Sequence, residues 1–381
     1  MPALRDALPA LYHDLLGAPL DREVPEESKA TCASCAMLEG GCGVVPSLDG
    51  RPRTFRADTK CCTFHPRLPG YLAGALLDDP DPRLAEGRRR VEARIASRVG
   101  VLPGWIHPPR AYTLLYDGAR GAFGRARGLR CPFYDEGTGA CTIWAHREAV
   151  CSTYFCRYVA GADGRALWTA VKEYLSLVEI QLVRAALLEV APELLESELD
   201  PAPRTAPPGP EDIDGAAPPD AEYAAAWGAW AGRETELYRA CHRFVRGLSA
   251  ADVDALLGLD GTLARRKLAR AADAATSSAL PPVLRLDPST TVAWLPDGSV
   301  ALGAYSPLEA VALPGEAYRL LAKFTGDAPV EAVRARLRAE DRADLADGVL
   351  LELYRHRVLA PPPRRAVPAQ GPPPPDATHT R

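Results

Sequence analysis

Several features are missing from this sequence, and each absence removes a class of function. No G-x-x-x-x-G-K-[ST] run occurs and no dinucleotide loop is recognisable, so nucleotide hydrolysis and hydride transfer find no support. No long uninterrupted apolar run exists. The most apolar long stretch, residues 174–190, contains Glu179, Gln181, Arg184 and Glu189, and reads as a buried helix of a soluble domain, not a membrane span. An export signal is missing too. Residues 1–19 carry Arg5, Asp6, His13 and Asp14 within an apolar pattern, which reads as one amphipathic helix and not as a signal peptide. The expected location is therefore cytoplasmic, where thiols stay reduced. Positive charge is not in excess: 45 Lys and Arg face 49 Asp and Glu, a net charge of −4, so nucleic acid is not an expected partner of the surface as a whole. The seven histidines are scattered, and nothing points to a nucleophilic triad.

What the chain does have is cysteine, proline and length. Its 381 residues suit two domains, and 47% hydrophobic with 25% charged residues describe an ordinary soluble protein. Of ten cysteines, nine fall before residue 157. In a reducing compartment such crowding points to a metal or redox centre more than to structural disulfides.

The cysteines form two groups. Cys131, Cys141, Cys151 and Cys156 lie within residues 131–156. Apolar alternation around Cys131 and the turn sequence Glu136-Gly137-Thr138-Gly139 place Cys131 and Cys141 on facing arms of a hairpin. Residues 145–156 read as a short helix that returns Cys151 and Cys156 toward it. The first group opens with Cys32-Ala-Ser-Cys35, a spacing that lets two thiolates bind one ion from a single turn. Cys42 follows in a glycine-rich loop, then the adjacent pair Cys61 and Cys62, with His65 three residues on. Eight cysteines, Cys32, Cys35, Cys61, Cys62, Cys131, Cys141, Cys151 and Cys156, suffice for two four-sulfur sites or one multi-metal cluster. Cys42 and His65 are spare groups that would complete or open a site, and His107 and His146 also lie near in sequence. Sulfur-only sets select zinc or iron–sulfur clusters, and the sequence does not choose between them. The alternative is a set of ordinary buried cysteines.

Residues 30–160 resemble the bacterial zinc- or iron-chelating cysteine-cluster family of YkgJ type. The resemblance rests on Cys131-Pro-Phe-Tyr, Cys141-Thr-Ile-Trp, Arg147-Glu-Ala-Val-Cys151 and Tyr154-Phe-Cys156, preceded by a C-x-x-C and a Cys-Cys pair. It implies metal or iron–sulfur binding, and relatives that methylate flagellin lysines carry such a cluster. Two departures stand out: 25 residues separate Cys35 from Cys61, and Glu148 stands where the family has proline.

The remaining chain divides readily. Residues 80–99 read as a charged helix with Arg88, Arg89 and Arg90 on a solvated face. Residues 110–129 alternate as strands do. Arg120, Arg125, Arg127 and Arg130 lie in or beside that stretch, either as exposed loop residues or as partners of nearby thiolates. A long helix over 163–195 presents Trp168, Val171, Leu175, Val178, Leu182 and Ala185 as a core stripe. Seven prolines mark 201–219 as a linker. A helical segment over 220–280 follows, with Cys241 as core. Residues 281–360 read as strands near 283, 291, 300 and 311, helices over 315–324, 330–339 and 345–356, and a last strand at Val358-Leu359. That order suggests a winged helix and is similar to the small domains that recognise leader peptides. Residues 361–381, proline-rich, are expected to be disordered.

The expected fold class is α+β: a mainly helical cysteine-cluster metal domain (1–200) with a small hairpin, then a C-terminal winged-helix-like domain. Two functions stay open. One is a metal- or iron–sulfur protein that modifies a protein or peptide substrate held by residues 283–359, or serves as its redox partner. The other is a non-enzymatic zinc-binding scaffold or a metal-sensing transcriptional regulator.

Overall fold

The computed structural model describes residues 1–29, 31–33, 35–38, 54–195, 208–306 and 308–363. Cys42, the linker residues 201–207 and the tail from 364 lie outside them. The fold is α+β, with small sheets set among helices. It divides into two compact units, residues 1–278 with 305–311, and residues 279–304 with 312–381.

The first unit is built around helix α6. In chain order its helices are α1 (Leu11–Leu16), α2 (Gly70–Asp78), α3 (Ala85–Ser97), α4 (Arg110–Gly118), α5 (Ala149–Thr153), α6 (Gly161–Val190), α7 (Pro210–Asp214), α8 (Asp220–Trp227), α9 (Glu234–Arg246) and α10 (Ala250–Thr276). The stripe Trp168, Val171, Leu175, Val178 and Leu182 is buried, as are Leu167, Tyr174, Val183 and Ala186 beside it. Apolar side chains at three- and four-residue steps therefore give α6 a broad core face. Helices α5, α9 and α10 pack on it. The helical segment set apart behind the prolines is thus part of the same core. Cys241 is buried there among apolar groups, as core.

Helices α2 and α9 touch at backbone distance. A Cβ at Gly74 would stand 2.0 Å from the Tyr238 carbonyl oxygen, and one at Gly70 2.8 Å from the Tyr238 ring. Only glycine permits that approach. Helix α10 starts at a reciprocal cap, Asp252 N–H to Ser249 Oγ at 3.2 Å and Ser249 N–H to Asp252 Oδ2 at 2.9 Å.

Three sequence expectations for this unit are corrected. Residues 110–129 hold no strand: they form α4 and two short 3-10 turns, Arg120–Ala122 and Arg127–Leu129. Pro109 immediately before α4 presets a helix entry, and Tyr112 stacks on Tyr116 four residues on, rings 5.6 Å apart. The N-terminal segment is not one helix but α1 flanked by the 3-10 turns Leu4–Ala7 and Ala18–Asp21. Pro9 withholds a donor, and Gly17 takes φ 55°. The helix expected over 145–156 is shorter, with α5 ending at Thr153 and Cys156 beyond it.

The second unit contains strands β5 (Val283–Leu286), β9 (Thr325–Pro329) and β10 (Leu359–Ala360) in the order β10-β5-β9. Strand β6 (Thr291–Trp294) pairs with β7 (Ser299–Ser306), which neighbours β8 (Glu309–Pro314). Helices α11 (Gly315–Leu321), α12 (Val330–Arg336) and α13 (Asp347–Arg355) follow. Val283–Leu286 is consequently the central strand of its sheet and not an edge open to an added peptide. Thr325 to Asp327 opens β9. Gly326 at φ 85° lets that strand follow β5 through a register shift.

The close α2–α9 contact gives a direct test. Gly74→Ala should lower unfolding stability by about 1–3 kcal/mol, since neither backbone can yield freely. Gly118→Ala, whose Cβ meets nothing within 4 Å, should cost none. Denaturant titration of both variants measures the difference.

Candidate metal centre

Four segments deliver the cysteines, each fixed by its own local chemistry. Lys60, at φ 48°, swings its ammonium onto the carbonyls of Cys32 at 2.9 Å and Gly139 at 2.7 Å. One side chain therefore ties the Cys32–Cys35 segment to the turn of the hairpin. Cys61 and Cys62 sit in a tight turn closed by Lys60 N–H to Arg56 O at 2.8 Å and Cys62 N–H to Thr59 O at 3.0 Å. Thr59 is anchored in turn on the Gly124 carbonyl at 3.0 Å.

The hairpin has the arms β3 (Tyr134–Asp135) and β4 (Ala140–Cys141), with Tyr134 opposite Cys141. Asp135 accepts from the Thr138 hydroxyl at 2.6 Å and sets the turn. Cys131 lies just before the first arm, where its N–H donates to the Cys62 carbonyl at 2.8 Å. That bond joins the two cysteine groups. On the far side of β4, a Cβ at Gly87 of α3 would meet the Thr142 carbonyl at 2.2 Å, so helix and hairpin are in backbone contact.

Glu148 caps α5. Its carboxylate accepts from Val150 N–H at 2.5 Å and Cys151 N–H at 2.8 Å. Buried Glu179 accepts from Ala149 N–H at 2.7 Å and from the Tyr12 hydroxyl at 2.8 Å. Burial pushes the carboxyl of Glu179 well up, and the neighbouring Glu148 adds to it. After Cys156 the chain is held by Glu27, which accepts from Val159 N–H and Trp168 Nε1–H, both at 2.8 Å.

The sulfurs interact across segments. Cys61 acts on the thiol of Cys32, and Cys156 and Cys62 act on that of Cys61. Cys151 lies in the electrostatic field of Cys131 and Cys141, and Cys35 in that of Cys61 and Cys32. Cys131 and Cys156 are buried, Cys32 is exposed, and the other five are intermediate. Burial pushes the Cys131 thiol up to about 12 and Cys141 up to about 11. Cys32 rises through its bond to Cys61 and then through burial. Without a cation these groups hold their protons. Among the described residues, no three or more His, Cys, Asp or Glu side chains are placed to hold an ion as they stand. What fits a metal is the chemistry of the set, eight soft sulfur donors gathered from both groups.

The arginines beside the sulfurs are not those picked out from the loop before Cys131. Arg120, Arg127 and Arg130 pair with Asp117, Asp58 and Glu136. The cations that bear on the sulfurs include Arg147 for Cys141 and Cys32, Lys60 for Cys32 and Cys35, and Arg90 and Arg94 for Cys131. Their positions were hidden because contacts through the fold, not sequence proximity, choose them. Arg147, four residues before Cys151 and bracketing a helix start, is the one whose spacing carried a signal.

His65 stacks on Tyr112 with ring centroids 3.5 Å apart, and its Nε2–H donates to the Arg130 carbonyl at 2.8 Å. Its Nδ1 is buried without a partner among the described residues. That leaves a lone pair inside the protein, the form a ligating histidine has. His146 instead faces Asp79 at 2.9 Å.

Burial pushes His65 down to about 4 from 6.5. The unfolded chain then binds the proton more readily, so stability is lost as pH falls from about 6.5 to about 4. The loss should reach at most about 3 kcal/mol, at about 1.4 kcal/mol per unit. In the reduced, metal-free chain, His65→Phe should flatten the stability profile across that window, as read from unfolding midpoints.

No family model, no curated protein and no solved structure matches this chain.

Proposed function

We propose that this chain is a metal- or iron–sulfur-binding cysteine-cluster protein, with the YkgJ-type resemblance as its family reading. The carrying observation is the meeting of the two cysteine groups: Cys131 N–H bonds the Cys62 carbonyl, and Lys60 ties the Cys32 carbonyl to that of Gly139 in the hairpin turn. Cys32, Cys35, Cys61, Cys62, Cys131, Cys141, Cys151 and Cys156 would hold the metal, zinc or an iron–sulfur cluster. A bound metal would stabilise the thiolates and tie four segments together, and an iron–sulfur form would also carry an electron. The chain's own contribution is support. Lys60 fixes the first segment, Glu148 and Glu179 fix the start of α5, and Glu27 fixes the exit from Cys156. A set with enough sulfur for two closed shells favours a structural or electron-carrying centre over an open catalytic one.

The second unit is read as a winged-helix-like module that holds a protein or peptide. The DNA-binding alternative is disfavoured by the state of its arginines. Arg334 is bound by Asp344 at 2.9 Å and Asp347 at 2.8 Å, and Arg338 by Asp344 at 2.9 Å. Cations already paired within the fold release few counterions from a phosphate backbone. With Val283–Leu286 paired on both sides, a peptide strand would add at Thr291–Trp294, which has one neighbouring strand and exposes Val292 and Trp294.

Elemental and sulfide analysis of anaerobically purified protein should find about one to three metal ions per chain, on the four-ligand rule. The double substitution Cys32→Ser and Cys35→Ser should lower both metal content and melting temperature. Unchanged values would make the two cysteine groups independent. Full-length protein should bind peptide and show no sequence-preferring duplex DNA binding at physiological salt. The reverse result would move the protein to the regulator reading.

A further inference from the structure

Among the described residues, no carboxylate forms an ion pair with the buried cation Arg147. It is 7% exposed. Among the described residues its guanidinium makes one hydrogen bond, a long one from Nη2–H to the Ala7 carbonyl at 3.4 Å, and its Nε is buried with no partner. The guanidinium lies 3.4 Å from the ring centroid of Trp144, which is half exposed and covers it from solvent. The ionisable groups that would act on it electrostatically when charged are the sulfurs of Cys141, Cys151 and Cys32, then Glu148. Glu148 already spends its carboxylate on two backbone N–H groups of α5.

A guanidinium out of water and unpaired is costly, and a stacked ring returns only part of that cost. Protonated thiols carry no charge to offset it. Thiolates on a divalent metal do: four of them around one ion leave an excess of negative charge. A buried arginine beside three such sulfurs is therefore placed for the loaded state. Its unpartnered Nε–H is also a donor available to a sulfur, the kind of outer contact that orients and tunes a ligand.

We infer that Arg147 is the counter-cation of the metal–thiolate centre, acting on Cys32, Cys141 and Cys151, with Trp144 shielding it from water and salt. This rests on the metal-binding reading above. Arg147 is a positioning residue and touches no substrate in this role.

The test is metal release from full-length protein to a chromogenic chelator, for wild type, Arg147→Gln, Arg147→Lys, Trp144→Ala and the control Arg130→Gln. Arg147→Gln should release metal on the order of 10- to 100-fold faster, the usual effect of losing an outer-shell partner. Arg147→Lys should fall between it and wild type, and Arg130→Gln should match wild type. Release from Trp144→Ala should quicken as salt rises while that of wild type holds steady, because the exposed charge is screened. Release from Arg147→Gln within twofold of wild type, or from Arg147→Lys as fast as from Arg147→Gln, would overturn the inference. Should Arg147→Gln fail to fold, salt-independent release from Trp144→Ala overturns it. A wild-type chain that carries no metal is a different outcome. It defeats the metal reading itself, and the inference with it.

Discussion

The bond from the Cys131 N–H to the Cys62 carbonyl closes a long loop, and the candidate centre depends on that closure. Bringing together positions about 70 residues apart costs roughly 4 kcal/mol in chain entropy on the (3/2)RT ln n term alone. One backbone hydrogen bond returns about 1 kcal/mol net. The bond therefore marks the closure and does not cause it. The cause is the apolar packing on either side. Leu68, Trp105, Ile106, Phe133 and Ile143 are buried in the same core as α6, and Leu129 is buried just before Cys131. The hydrophobic core sets the two groups beside each other: Cys131 belongs to it, and Cys62 and Cys141 pack at its margin.

At that margin the chain accumulates groups that do poorly without charge partners. Glu148 and Glu179 are buried and held by N–H donors and Tyr12. Arg147 is buried against a ring. Several thiols are raised by burial and by one another. In a core made only for stability such groups would be replaced by apolar ones at little loss. Their concentration in the segments that carry the cysteines is what a site for a cation requires. On the proposed reading, structural zinc, which in small thiolate sites contributes on the order of 10 kcal/mol or more, would exceed the closure cost.

Much of this was legible in the sequence, for physical reasons. Spacing singled out eight cysteines as candidates, and turn chemistry located the hairpin around residues 136–139. The period of α6 announced its buried stripe. What failed was read from patterns too short to fix a period. Alternation over residues 110–129 resembled strands, yet a proline at the helix entry and a Tyr112–Tyr116 stack made a helix. The central place of Val283–Leu286 was invisible because strand order is a tertiary fact, decided by which segments return to it. The supporting cations were missed for the same reason. Arg120, Arg127 and Arg130 stood near Cys131 in sequence, but nearby acids took them, while Lys60 and Arg147 reached the sulfurs through the fold.

The central claim is that the gathered sulfurs ligate a metal. X-ray absorption fine structure at the metal edge of the purified protein tests it most directly, because it reads the ligand atoms themselves. The account expects a first shell of sulfur alone, near 2.3 Å for zinc, with iron–iron scattering added if a cluster is present. A shell dominated by nitrogen or oxygen, or no stoichiometric metal to measure, would contradict it.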